Sequence, residues 1–211
     1  MGLPARPIKF YSFAVSGHAH RVELLLRALD LPFLRIDVDL GGKQQKTPDF
    51  IALNPFGQIP VIDDNGVVVW DSAAILVYLC LTYDTNRVYL PAGAQAVAEV
   101  TAWLGKAAGP VHYGMATARR INLFNAPGDK AHARQIATDL LAIMDRHLSG
   151  RDWLVGPAVT IADFACHTYV AHAPEGDIDL TPYGAVVAWL RRFEALPFFL
   201  PMARTRIGLW T

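Results

Sequence analysis

Two periods of apolar residues run along this chain, one short and strand-like, one helical. Ile8-Lys9-Phe10-Tyr11 is a β-prone run. A loop from Ser12 to Gly17 follows it. Val22, Leu25, Leu26 and Leu29 then recur at a spacing that turns one face of a helix inward. Phe33, Leu34, Ile36 and Val38 alternate with polar neighbours most clearly at the end, which reads as a second strand. Two strands around one helix predict a βαβ unit. Thr47-Pro48-Asp49 opens a short helix, with Thr47 as N-cap and Pro48 at the first helical position, and Asn54-Pro55 closes it. Pro60-Val61-Ile62 and Val67-Val68-Val69-Trp70 flank Asp63-Asp64-Asn65-Gly66, and Asn-Gly between β-branched runs signals a hairpin. Asp71-Ser72-Ala73-Ala74 opens a helix that continues to Tyr83. The predicted order is β-α-β-α-β-β-α.

The pattern changes after that helix. Asp84 to Ala94 carries Asn86, Pro91 and Gly93 and reads as a linker. The remainder has little strand character. Val97 to Arg120 is a long helical candidate that Gly105, Gly109-Pro110 and Gly114 must bend or interrupt. Ala133, Ile136, Ala137, Leu140, Leu141, Met144 and Leu148 follow helical spacing, with Gly150 placed to end the helix. Thr160-Ile161-Ala162-Asp163 has the form of a capping box with Asp for the usual Glu or Gln, and Val159 with Phe164 fits a hydrophobic staple. The expected organisation is an α/β domain over 1–83, a linker over 84–94 and an all-α domain over 95–211.

Composition narrows the class. Of 211 residues, 53% are hydrophobic and 18% charged, enough apolar material for a sizeable core and too little charge for a disordered chain. A formal net charge of +0 argues against a nucleic-acid binder, which carries a basic excess. No apolar run approaches the roughly 20 residues that span a bilayer, and MGLPARPIKF holds no signal-peptide core. Cys80 and Cys166 stand far apart and form neither a disulfide framework nor a metal-ligand set. A cytoplasmic protein with no membrane partner and no metal or other cofactor is expected.

Three segments carry candidate chemistry. In Asn54-Pro55-Phe56-Gly57-Gln58-Ile59-Pro60-Val61, Pro60 stands at the start of a strand. Either it sits trans on an edge strand, or a cis Ile59–Pro60 bond turns the Ile59 main chain outward to pair with an extended peptide. Asp71-Ser72 opens a helix. It either caps that helix or offers an anion site, with free N–H groups and a hydroxyl for a carboxylate and the Asp71 carboxylate for an ammonium. Ser16 precedes another helix. It is either an N-cap or a donor that, with the helix dipole behind it, lowers the pKa of a thiol. His18 and His20 lie nearby without an adjacent nucleophilic cysteine or a triad; in this reading they are solvated loop residues or, for His18, a second candidate to act on a thiol.

Phe10-Tyr11, Ser16, Arg21-Val22, Asn54 to Val61 and Asp71-Ser72-Ala73-Ala74-Ile75 together resemble the thioredoxin-like half of a cytosolic glutathione transferase, of the bacterial or theta-like serine branch. Trp153-Leu154-Val155-Gly156 followed by Thr160 to Asp163 is similar to the motif of that family's helical half. The resemblance spans nearly the whole chain. It implies a thioredoxin-like N-terminal domain, an all-helical C-terminal domain, a cis Pro60, a homodimer with Phe56 at its contact, and glutathione as co-substrate. By position, Ile59 beside Pro60 pairs with the cysteinyl part, and Asp71 and Ser72 hold the γ-glutamyl end. Gln45, Lys46 and Gln58 sit near the glycyl carboxylate, and Ser16 steadies the thiolate. Phe13, Val15, His112, Tyr113, Ala116 and Arg120 are the expected pocket for a hydrophobic electrophile. Arg119 or Arg120 either favours an anionic second substrate or is solvated or structural. The resemblance also carries departures. Ser12 stands where the alpha, mu and pi branches carry tyrosine. No cysteine is present in the loop. Asp71 replaces the commoner glutamate, and Gly17-His18 stands where bacterial relatives often have Gly-Asn. The implied activity is attack of glutathione thiolate on an electrophile; a glutathione-dependent disulfide reductase or peroxidase and a non-catalytic binding protein are the alternatives.

Overall fold

The computed structural model describes residues 2–210. Residues up to Leu90, together with Pro197–Met202, form one compact unit; Pro91–Leu196 and the residues from Ala203 on form a second.

The first unit is built on a four-stranded mixed sheet of β1 (Ile8–Ser12), β2 (Phe33–Asp37), β3 (Val61–Asp64) and β4 (Val67–Trp70) in the order β2-β1-β3-β4. β1 and β2 are parallel, as the βαβ reading requires, and β3 runs antiparallel to both β1 and β4. Period-two alternation divides the core. Ile8 and Phe10 point to one face, and Ile62 sits opposite Phe10 in register. Tyr11 and Val61, also paired, point to the other face, where they meet Phe50 and Val38. Helices α1 (Gly17–Ala28) and α3 (Ser72–Tyr83) pack on each other. Helix α2 (Pro48–Leu53) supplies Phe50, whose ring meets Tyr11 edge-on at 6.0 Å.

Local signals explain the element ends. The Asn65-Gly66 hairpin has both central residues at positive φ, 54° and 102°, the mirror-type turn that fits strand twist. α3 buries Ile75, Leu76, Leu79 and Cys80, a helical stripe. It is tied to the end of β3, because the Tyr78 and Tyr83 hydroxyls both donate to the Asp64 carboxylate. Thr47 stands at the N-cap of α2 as expected, but its hydroxyl does not cap; it donates to the Gln44 carbonyl at 2.9 Å. The segment Pro197–Met202 returns to the first unit. His20 is buried and its Nε2 is 2.7 Å from the Leu200 carbonyl, so the expectation of a solvated loop histidine there is corrected: the ring anchors this segment.

The second unit is helical: α4 (Ala94–Lys106), a π-helical segment Ala107–Ala116, α5 (Thr117–Phe124), α6 (Lys130–Leu148), α7 (Ile161–Ala171) and α8 (Gly184–Glu194). The three glycines expected to interrupt the first long stretch differ. Gly105 lies within α4 without breaking it. Gly109 takes the kink, at φ −95° and ψ −107° ahead of Pro110. Gly114 permits close packing, since a Cβ there would lie 2.8 Å from the Ala137 main-chain nitrogen on α6. α7 is buried along nearly its whole length. Its capping box forms: Asp163 accepts from the Thr160 N–H at 2.9 Å, and also from the Leu154 N–H and the Trp189 indole. Asp163 is therefore a hub for three segments of the helical core.

Candidate active site

A groove of about 240 Å³ opens on the first unit. The loop between α2 and β3 gives it Asn54, Phe56, Gln58, Ile59 and Pro60; the junction of β4 and α3 gives Trp70, Asp71 and Ser72; α1 gives His18.

The loop is held open by its own hydrogen bonds. Asn54 is buried, and its side chain works at both ends: Nδ2 donates to the Gln58 carbonyl at 2.7 Å, and Oδ1 accepts from the Phe56 N–H at 3.0 Å. Gly57 has φ +56°, and a Cβ there would lie 2.6 Å from the Gln45 carbonyl, so the loop passes where only glycine fits. The Ile59–Pro60 peptide is cis. β3 pairing begins at Val61, and among the described residues nothing pairs with the Ile59 main-chain N–H and C=O. Ile59 therefore has a main-chain donor and acceptor to offer beside the start of β3, the requirement for binding a peptide by main-chain pairing.

The other end is a helix start. Asp71 has φ 69° and ψ 125°, a conformation that costs of order 1–3 kcal/mol for a residue other than glycine. Its Oδ1 accepts from the Ala73 and Ala74 N–H groups at 2.8 and 3.2 Å. The capping alternative for Asp71 is thus realised, and the second carboxylate oxygen extends the negative charge beyond the cap. Ser72, buried at the first turn, has its hydroxyl 3.3 Å from His18 Nδ1.

Ser16 caps α1. Its Oγ accepts from the Ala19 N–H at 3.2 Å. A serine hydroxyl that accepts one bond keeps its proton to donate, so the N-cap role and a donor role are compatible. Ser16 does not line the groove. Nor do Gln45 and Lys46, which lie in a short turn beside Gly57; Lys46 Nζ donates to the Phe56 carbonyl at 3.0 Å. Ser12 is buried at the end of β1. Both cysteines are buried, and burial, followed by the Asp84 charge, pushes the Cys80 thiol well above its usual value.

Phe13 and Val15 are half-buried in the β1–α1 loop of the first unit. His112, Tyr113 and Ala116 lie on the π-helical segment of the second, and Arg120 on α5. Tyr113 and Arg120 are exposed, and the His112 and Tyr113 rings meet at 5.2 Å. Arg119 is buried and its Nε donates to Glu175, so its structural alternative holds and it is not an anion receptor. Burial works against ionisation of Glu175. Hydrogen bonds from His172 and the Thr205 N–H, with the Arg119 charge, outweigh it and hold the carboxyl below its ordinary value.

Asn54 belongs to the segment the sequence singles out, though no role is legible for its side chain there; Asn ahead of Pro is also a turn builder. Trp70 was read as the end of a strand; its ring meets that of the exposed Phe56 at 5.1 Å.

The family model for the glutathione S-transferase N-terminal domain matches residues 15–82, and that for the C-terminal domain matches residues 115–197. Glutathione S-transferase 3 of Zea mays is 32% identical over 209 residues, covering 92% of this chain and 91% of the relative. The chain belongs to the glutathione S-transferase family. Its fold is the family's: a thioredoxin-like domain followed by a helical one. A glutathione S-transferase structure from Pseudomonas fluorescens superposes with a TM-score of 0.88 at 30% identity, covering 94% of this chain and all of that one. The disulfide-bond oxidoreductase YfcG of Escherichia coli is 29% identical over 88% of this chain and 89% of its own length. Among the described residues no helix is long and apolar enough to cross a membrane.

Proposed function

We propose that this protein binds glutathione in the groove and conjugates its thiolate to a hydrophobic electrophile. The single observation that supports this most is the pairing of a free main-chain edge at Ile59 with a helix mouth at Asp71-Ser72 on one groove. Glutathione is a peptide with an amino-acid head. The Ile59 N–H and C=O pair with its cysteinyl residue. The α3 N-terminus and the Ser72 hydroxyl receive the α-carboxylate, and the Asp71 carboxylate receives the ammonium. Gln58 lies at the loop side of the groove, with Gln45 and Lys46 beyond it for the glycyl carboxylate. Ser16 donates to the sulfur and, with the α1 dipole, stabilises the thiolate. In the first unit, Phe13 and Val15 precede Ser16 in the β1–α1 loop and are the apolar candidates to face the electrophile. In conjugation the thiolate displaces a leaving group at carbon, forming a C–S bond.

The likeness to YfcG favours a second reading on the same site. There the thiolate attacks a disulfide sulfur, one thiolate leaves, and a second glutathione resolves the mixed disulfide to oxidised glutathione. No protein cysteine is needed, in keeping with the burial of Cys80 and Cys166. The protein acts as a cytoplasmic homodimer in this proposal, with the exposed Phe56 at the subunit contact. Calorimetric titration with glutathione tests the binding, and the absence of binding overturns both readings. Turnover of an aryl halide against turnover of a small disulfide decides between them, and sedimentation at micromolar concentration reads the dimer.

A further inference from the structure

We propose that His18 is a positioning residue of the glutathione site: it donates from Nδ1 to the Ser72 hydroxyl and thereby turns that hydroxyl's proton toward the ligand's α-carboxylate. The inference rests on the proposed glutathione function and adds a residue to it. Ser72 Oγ and His18 Nδ1 are 3.3 Å apart, and both line the groove. A serine hydroxyl has one proton and two lone pairs. If Ser72 donates to a bare Nδ1, it meets the groove with lone pairs, which repel a carboxylate. If Nδ1 carries a proton, Ser72 accepts from it and its own proton is left for the ligand. An anion at the mouth of α3 selects the second arrangement, because the helix dipole and the hydroxyl then act together. His18 also stands two residues after Ser16, in the first turn of α1. One helix turn therefore serves both the sulfur and the glutamyl head.

Asparagine is the informative substitution. Its amide nitrogen is bonded to Cγ, as Nδ1 is in histidine, so His18→Asn keeps a donor at the same place along the side chain. His18→Phe keeps a ring and removes the donor. The probes are glutathione and the analogue 4-aminobutanoyl-Cys-Gly, which lacks only the α-carboxylate. Calorimetry on the full chain is expected to show His18→Phe weakening glutathione about tenfold while changing the analogue little. His18→Asn recovers most of the loss. In a Ser72→Ala background His18→Phe costs little more, since the hydroxyl it would orient is gone. Equal losses for glutathione and the analogue, or losses from His18→Phe and Ser72→Ala that simply add, overturn the inference. So does a His18→Asn variant as weak as His18→Phe. Wild-type protein that binds neither peptide overturns the proposed function itself, whereas wild-type binding with additive losses removes only the role of His18.

Discussion

Ser16→Ala separates two jobs that one oxygen performs. The Oγ accepts from the Ala19 N–H at 3.2 Å, and losing an N-cap of this kind costs about 1 kcal/mol of stability. The proton on the same oxygen is assigned to the glutathione sulfur. A hydrogen bond to a charged group is worth about 1.5–3 kcal/mol, or roughly one to two pKa units of thiol acidity. Take a bound thiol at about 6.5, two units below a free thiol near 8.5. At pH 7 about three-quarters of it is thiolate. Removing the hydroxyl and raising the pKa to about 8 leaves about one-tenth, so the rate at saturating glutathione falls about eightfold. The deficit must shrink as pH rises toward 9, where both thiols ionise. Ser16→Asp supplies the control. Aspartate caps as well as serine but brings a negative charge and no proton to the sulfur, so it keeps the melting temperature and loses the activity. The assay is the ultraviolet thiolate absorbance of the complex against pH, with aryl halide turnover measured alongside. A Ser16→Ala variant with an unchanged thiol pKa would refute the donor role and leave Ser16 as a cap alone; a deficit independent of pH would place the damage in the shape of the site.

Three further outcomes are expected. Gly57→Ala puts a Cβ 2.6 Å from the Gln45 carbonyl at φ +56°, so it destabilises the protein by about 2 kcal/mol or more in urea unfolding and weakens glutathione; a loss below about 0.5 kcal/mol contradicts the close approach. Asp71→Asn keeps a capping oxygen and tolerates positive φ, so stability changes by less than about 0.5 kcal/mol, while glutathione affinity measured by calorimetry falls about tenfold through loss of the charge on the ammonium. Glu175 has a carboxyl held below its ordinary value of 4.5, so its contribution is fully present above about pH 4.5 and is lost as pH falls through its folded value. Glu175→Gln leaves the buried Arg119 uncompensated and costs about 3–5 kcal/mol at neutral pH; thermal melts between pH 3 and 7 show a shallower acid decline in the variant if the assignment is right.

Signals that act over a few residues were legible in the sequence. Asn65-Gly66 names its own turn, because each residue accepts a positive φ at small cost. Ser16 and Asp71 stand where helix N-caps belong, and both accept the expected N–H bonds. The Thr160 and Asp163 box closes as written. What stayed hidden needs two segments at once. His20 bonds to Leu200, 180 positions away, and no periodicity encodes that. Arg119 looks like a free cation until Glu175, on another element, is packed beside it. The β4 run Val67 to Trp70 is legible as a hairpin strand, but its place at the sheet edge is not, and there it leaves Val67, Val68 and Trp70 exposed.

The same division explains why Ser16 and Asp71-Ser72 carry no sign of each other in the sequence. Each stands at a helix start with its own capping residue, so each has a complete local explanation that asks for no partner. His18 lies on α1 and Ser72 on α3. They come within 3.3 Å because those helices pack on each other, and each carries buried apolar residues, Val22, Leu25 and Leu26 on α1 and Ile75, Leu76 and Leu79 on α3. The apolar residues that fold the domain therefore also set the distance between the α1 and α3 helix starts, which the proposed function assigns to the sulfur and to the α-carboxylate. A ligand that spans both reads the packing of α1 on α3 as much as it reads any polar side chain. In the proposed site the fold is thus a working part of the recognition, and a change in that packing is expected to alter glutathione affinity without touching a groove residue.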